Sequence, residues 1–210
     1  MSVIEKRKQA ERQERIERIL KAGRKLFLEK GYLGATVRDI ARAAEMSTGV
    51  IYFYFEGKDD IYGRICEEAF HLLIKLLEEA SASGKTTMER LDAIARAYLK
   101  FYTDFPDYFD ILTFRDMGFK KVGLPDELLE KLDKLSAQSL SILDEVVGKG
   151  IGEGIIVHRG ESWEMTFALW AVIEGLISIH KRGYMDAFGM NLEELLNHNL
   201  RIILKGILVK

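Results

Sequence analysis

The chain is predicted to be all-α, with a three-helix head carrying a helix-turn-helix and a larger helical body behind it. Three observations carry this. Apolar residues recur every three or four positions in one stretch after another. Only two prolines interrupt 210 residues, which favours long helices. Threonine followed three residues later by an acid, the spacing of a capping box, marks helix starts at Thr36 with Asp39 and at Thr86 with Glu89.

In chain order, residues 5 to 15 are almost wholly charged and read as a solvated helical extension, or as a basic arm. Ile16, Ile19, Leu20, Gly23, Leu26 and Phe27 then share one helical face, and Gly31 closes that helix where a left-handed residue is wanted. A second helix starts at Thr36 and carries Ile40, Ala41 and Ala44 on its apolar edge. Glu45-Met46-Ser47 is a short turn anchored by Met46, and Ser47 or Thr48 caps a third helix. Two short helices joined in this way form a helix-turn-helix. Ile51, Phe53 and Phe55 are expected to fill the core of the head.

After Gly57, a long helix runs to about Glu79, with Ile61, Ile65, Ala69, Leu72 and Leu76 along one side. Thr86 starts the next, and Pro106 separates it from its successor. Between Leu91 and Phe119 the chain is rich in aromatics: Tyr98, Phe101, Tyr102, Phe105, Tyr108, Phe109, Phe114 and Phe119. Such a stripe is more often core than ligand box, although rings on two consecutive helices can line an apolar cavity. A helix opening at Pro125 and Asp126 carries Leu128, Leu132, Leu135, Ser139, Ile142 and Val146, and is expected to end in the glycines of residues 148–154. Two closing helices follow, from Ser162 to about Arg182 and from Asn191 to about Leu208. Both are apolar over so wide an arc that a second buried side is needed, which a twin subunit can supply.

Composition narrows the function. At 48% hydrophobic content the chain can bury a core without metal or disulfide support. Its one cysteine, Cys66, cannot form an internal disulfide, which suits a reducing cytoplasm and a small buried role. The amino end lacks the apolar core of a signal peptide, and Glu174 breaks the stretch 167–179, so no membrane span is expected and the protein reads as soluble and intracellular. Residues 1–60 hold 13 Lys and Arg against 10 Asp and Glu, whereas the whole chain carries a net charge of −2. A basic head on an acidic body fits a protein that meets phosphate at one end.

Catalytic and nucleotide-binding patterns fail on inspection. Gly84-Lys85-Thr86 resembles the end of a P-loop, but Glu79 stands where the motif requires glycine. The glycines of residues 148–154 do not have dinucleotide-binding spacing. His71, His158, His180 and His198 are scattered, and no Gly-x-Ser-x-Gly elbow occurs. No metal, cofactor or catalysis is expected.

The stretch Thr48-Gly49-Val50-Ile51-Tyr52-Phe53-Tyr54-Phe55, then Lys58, with Thr36-Val37-Arg38-Asp39-Ile40-Ala41 upstream, resembles the DNA-binding domain of the TetR family of bacterial repressors. The resemblance covers about the first 60 residues, and the other 150 match in length and helical layout only. It implies a DNA-binding domain over residues 1–57 and a ligand-binding and dimerisation domain over 58–210. By position, it implies that Arg38, Thr48, Gly49, Val50 and Tyr52 face base edges and that Thr36, Tyr54 and Lys58 meet phosphate, with Ser47 at the start of the reading helix counted among the contacts. Tyr52 and Tyr54 also suit packing roles. Family members often carry a longer polar residue where this chain has Thr48-Gly49-Val50, so fewer side-chain hydrogen bonds and more reliance on DNA shape are expected.

The resemblance further implies a homodimer on a near-palindromic double-stranded operator, released by a small hydrophobic effector. Phe101, Phe105, Phe109, Phe114 and Trp170 are candidates for the pocket wall, with Glu174 or His180 as polar contacts. His180 also suits a satisfied core or interface role. Trp163, Phe167, Leu176, Leu196, Leu200 and Ile203 are candidates for the dimer interface. The rival readings are an effector-independent DNA-binding protein, a transcriptional activator, and more distantly an enzyme or small-molecule carrier.

Overall fold

The computed structural model describes residues 2–116, 124–157 and 160–207. Phe119, His158 and Leu208, with the side chains of Phe114, Leu204 and Ile207, lie outside the described residues. The described chain forms ten helices: α1 (Val3–Gly34), α2 (Val37–Ala43), α3 (Thr48–Tyr54), α4 (Lys58–Ser83), α5 (Thr87–Asp104), α6 (Pro106–Asp116), α7 (Asp126–Gly152), α8 (Ser162–Lys181), α9 (Tyr184–Ala187) and α10 (Leu192–Ile207). The chain divides into two compact units, Met1–His71 with Pro106–Leu135 and Leu72–Phe105 with Ser136–Lys210.

In the first unit, the charged start of α1 is exposed, while Ile19, Leu20, Leu26 and Phe27 are buried. Gly31 takes a φ of 69°, as its role of helix breaker requires, and the chain makes one further turn to Gly34. Thr36 caps α2 by accepting from Asp39 N at 3.1 Å. The reciprocal half of the capping box differs from expectation: the Asp39 carboxylate accepts from the Thr36 hydroxyl at 2.9 Å and faces Lys30 at 3.4 Å. A hydroxyl that both accepts and donates leaves the acid free to pair with α1.

The turn after α2 is closed by Met46 N donating to Ala41 O at 2.9 Å and Glu45 N donating to Arg42 O at 3.1 Å. This is the paired closure of a Schellman motif, with Glu45 in the left-handed position at φ 56°. Arg18 Nη2 reaches from α1 to Ala44 O at 2.8 Å, satisfying a carbonyl the helix end leaves open. Met46, expected to be a buried anchor, is only half-buried. Ser47 then caps α3, accepting from Val50 N at 3.3 Å. Beneath these helices, α4 contributes Ile61, Tyr62, Ile65, Cys66 and Ala69, all buried. Gly23 lets α1 approach α4 so closely that a Cβ there would lie 2.9 Å from Ile61 Cγ2.

In the second unit, α5 opens on the predicted capping box, with Thr86 accepting from Glu89 N and Glu89 from Thr86 N. α7 ends within the glycines of residues 148–154 as expected, at Gly152, after running unbroken through Gly148 and Gly150. At Gly150 a Cβ would meet Ile156 Cδ1 at 2.7 Å and Thr87 Cγ2 at 2.8 Å, so the missing side chain admits both neighbours. The bend is made by Gly154, at φ 69°. Asp144 on α7 accepts from Ser162 Oγ at 3.1 Å and Thr166 Oγ1 at 2.8 Å at the start of α8. Glu174 interrupts the apolar run 167–179, although by length and composition alone α8 could cross a bilayer. Within its unit, however, that carboxylate accepts a hydrogen bond from Tyr98, and Thr166, Ile173, Leu176 and Ile177 of the helix are buried. The short α9, between left-handed Gly183 and Gly189, was not foreseen.

Candidate nucleic-acid interface

α3 is two turns long and held from one side. Ile51 is completely buried and Phe55, just past the helix end, is buried beside it, while Thr48, Gly49, Tyr52 and Phe53 are exposed and Val50 and Tyr54 half-buried. Phe53 corrects the sequence expectation: assigned to the core with Ile51 and Phe55, it is 78% exposed. The reason is angular. A helix turns by about 100° per residue, so Phe53 stands roughly 200° round from Ile51, whereas Phe55 lies about 40° from it. That wheel position was available in the sequence; aromatic character obscured it. The two rings at the end of the ridge, Phe53 and Tyr54, pack edge to face with centroids 5.0 Å apart.

On α2, Thr36 and Arg38 are exposed, and Ser47 at the head of α3 is exposed as well. The expected contacts Thr36, Arg38, Ser47, Thr48, Gly49 and Tyr52 are therefore all open on the packed pair α2 and α3. Lys58 differs. It is half-buried, with Nζ donating to Tyr32 O at 2.9 Å and lying 4.3 Å from the centre of the Tyr32 ring. The Tyr32 hydroxyl donates to Asp59 next door, and burial, reinforced by that carboxylate, pushes the phenol well above its ordinary value. The Thr36 hydroxyl, with Lys30 and Arg42, holds the Asp39 carboxyl below the usual carboxylate range. Around α2 one carboxylate, Asp39, thus faces two cations, Lys30 and Arg42, so the balance stays positive, and Arg38 has no carboxylate within ion-pair distance among the described residues.

In the second unit the expected polar ligand contacts have side-chain partners. Glu174 on α8 accepts from the Tyr98 hydroxyl, and His180 Nδ1 lies 2.9 Å from the Tyr102 hydroxyl, both tyrosines being on α5. The sequence placed Tyr98 and Tyr102 in the aromatic stripe without these partners, which lie 76 and 78 residues away. Phe101 is buried, with its ring centroid 6.3 Å from that of half-buried Phe105, and Trp170 is half-buried against Phe167. Phe109 is buried in the first unit, and the Phe114 side chain lies outside the described residues. An open groove of about 550 Å³ between α5 and α10, lined by Asp92, Arg96, Asn197, Leu200 and Arg201 among others, includes none of these candidates.

The expected interface residues divide. Trp163 and Phe167 are 39% and 49% exposed on α8, and Leu200 and Ile203 on α10 are half-buried. Leu176 and Leu196 are turned inward and buried within the chain, where α8 and α10 pack together. Among the described residues, no group of three or more His, Cys, Asp or Glu side chains is placed to hold a metal ion.

Residues 19–65 match the family described as bacterial regulatory proteins, tetR family. The chain is also 42% identical over 174 residues to the HTH-type transcriptional repressor BepR of Brucella suis biovar 1, an alignment covering 82% of this chain and 83% of BepR. The chain belongs to the TetR family. Another relative, the fatty acid metabolism regulator protein of Bacillus subtilis, is 28% identical over 138 residues, 66% of this chain and 69% of that one. Likeness to HbdR of Aromatoleum sp. is 53% over 49 residues and spans 23% of this chain but only 21% of HbdR, well short of two-thirds of its length. The fold matches the solved structure of FadR from Bacillus subtilis in complex with stearoyl-CoA, with a TM-score of 0.73 and 24% identity over 91% of this chain and 98% of that one. TetR-family proteins are transcriptional regulators rather than enzymes, and within that family the helix-turn-helix pair of this chain is α2 and α3.

Proposed function

We propose that the protein is a repressor that binds a near-palindromic operator as a homodimer and leaves it when a small hydrophobic effector occupies the body. Residues 1–57 act as the reading head and residues 58–210 as the sensing and pairing body, at work in the bacterial cytoplasm. The observation that carries the reading is the open face of α2 and α3, where Arg38, Thr48, Gly49 and Tyr52 are exposed while Ile51 is locked inward. Sequence is read at base edges in the major groove, and phosphate contacts set register. Arg38 has the reach and charge for a guanine edge, and Thr36, Ser47 and Tyr54 have hydroxyls for phosphate. Lys58 joins them by leaving the Tyr32 carbonyl for a phosphate oxygen.

A two-fold dimer sets its reading helices about 34–36 Å apart, one turn of DNA. The half-exposed ring pair Trp163 and Phe167 on α8 suits burial against a second copy. An effector releases DNA only to the extent that it binds the non-reading conformation more tightly. The relatives named for fatty acid metabolism and solved with stearoyl-CoA direct the search to long-chain acyl compounds first. Fluorescence anisotropy on duplexes selected from a random library, with and without acyl-CoA thioesters, free fatty acids or aromatics, tests the reading. Specific binding weakened by one of these is expected, and equal affinity for selected and random DNA at moderate salt refutes it.

A further inference from the structure

We infer that Phe53 is a specificity-determining residue that reads the C5 methyl group of a thymine in each half-site. The inference rests on the DNA-binding reading above and deepens it. A lone exposed phenylalanine is ordinary on a protein surface, so exposure alone carries little. Position carries more. On α3, Gly49 and Phe53 lie about 160° and 200° round from the buried Ile51, so they form the ridge that projects furthest from the head. Gly49 is not required by packing, because a Cβ there would have only Ser47 Oγ near it, at 3.8 Å. Its missing side chain instead lets the ridge descend, leaving the Phe53 ring as the one side chain on the outermost line, with Tyr54 edge-on against it at 5.0 Å.

A phenyl group offers no hydrogen bond to a base edge. The apolar feature a major groove presents is the thymine methyl, so a phenylalanine at the leading ridge selects for that methyl and against cytosine at the same position. Tyr52 and Val50, set about 100° to either side of Ile51, reach the groove walls before its floor.

The test uses the full chain and duplexes it selects from random-sequence DNA. Thymines in the selected site are replaced by deoxyuridine one symmetric pair at a time, which removes the methyl and leaves base pairing intact. One pair is expected to weaken wild-type binding by roughly fourfold per half-site, the effect of uncovering one buried carbon. F53A is expected to bind the thymine and uracil duplexes alike, with an unchanged salt dependence because no phosphate contact is lost. F53L keeps part of the discrimination. Because the ring is exposed, F53A melts like wild type, and matched melting curves separate a folding defect from a reading defect. Uracil sensitivity that persists undiminished in F53A, or selected sites in which no thymine methyl matters, overturns the role of Phe53 while leaving the regulator intact. Failure to select any sequence refutes both.

Discussion

Gly23→Ala tests how closely the head is seated on its long supporting helix. In an open helix this change stabilises by up to about 1 kcal/mol, because glycine is the poorer helix former. Here the new Cβ would lie 2.9 Å from Ile61 Cγ2 and 3.4 Å from Ile65 Cδ1. Ile61 is fully buried, and a β-branched side chain in a helix has essentially one rotamer, so its γ2 methyl cannot swing aside. The helices must part, at an overpacking cost of about 1–3 kcal/mol. The balance is a loss of roughly 1 kcal/mol, or about 2–4 °C in Tm for a chain of this size. A double-mutant cycle sharpens the assay. Ile61→Ala alone is expected to cost about 2–5 kcal/mol, and because the added methyl then occupies vacated space, the double mutant loses less than the sum by at least about 0.5 kcal/mol. Urea unfolding of the four proteins measures this. A rise in Tm for Gly23→Ala, or strict additivity, refutes the close approach of α1 and α4.

Three further outcomes are expected. Glu45→Gly relieves a left-handed φ of 56° and loses only an exposed ion pair to Arg18, so urea unfolding should show a gain of roughly 1 kcal/mol; a loss would mean Glu45 is held by more than its backbone. Asp144→Ala strands the fully buried Thr166 hydroxyl at a cost of about 1–3 kcal/mol, and adding Thr166→Val recovers most of it if the hydrogen bond is the cause. The Asp39 carboxyl is depressed in the folded head by the Thr36 hydroxyl, with Lys30 and Arg42, so its stabilisation is present at neutral pH and lost as pH falls below the ordinary carboxylate value of about 4. Tm measured against pH should therefore drop less steeply on the acid side in Asp39→Asn, and an unchanged slope contradicts the assignment.

Local chemistry made the helix ends legible. The caps at Thr36, Ser47 and Thr86 and the left-handed break at Gly31 need only neighbours within a few residues, and each stands where the spacing placed it. The failures have non-local or competing causes. Tyr98 and Tyr102 meet Glu174 and His180 across the packed pair α5 and α8, and no pattern within either helix announces the pairing. Glycines at alternate positions read as a connector, yet Gly150 is a packing glycine inside α7, distinguishable only once Ile156 and Thr87 are seen beside it. The four-residue α9 is too short for any period to register. Leu176 and Leu196 share the apolar stripes of their helices with residues that face outward, and composition alone cannot divide such a stripe between the fold and a partner.

The two-turn reading helix shows how stability and recognition can be kept on separate residues. Seven residues are too few to hold a helix in water, so α3 exists because it is gripped: capped by Ser47, joined through the Schellman closure to α2, which Arg18 clasps, and pinned by Ile51 and Phe55. None of those groups lies on the outer ridge. The exposed positions 48, 49, 52 and 53 make almost no contact that the fold requires, so on the proposed DNA-reading role substitutions there are expected to leave the helix standing and alter what it reads. A change at Ile51, by contrast, removes the pin and abolishes binding to every sequence alike, because the helix that presents the ridge no longer has a fixed orientation. Loss of affinity that is uniform across sequences and loss that is confined to one base position are thus separable by residue, and within α3 and its cap the boundary between them runs between the inward pair Ile51 and Phe55 and the outward pair Gly49 and Phe53.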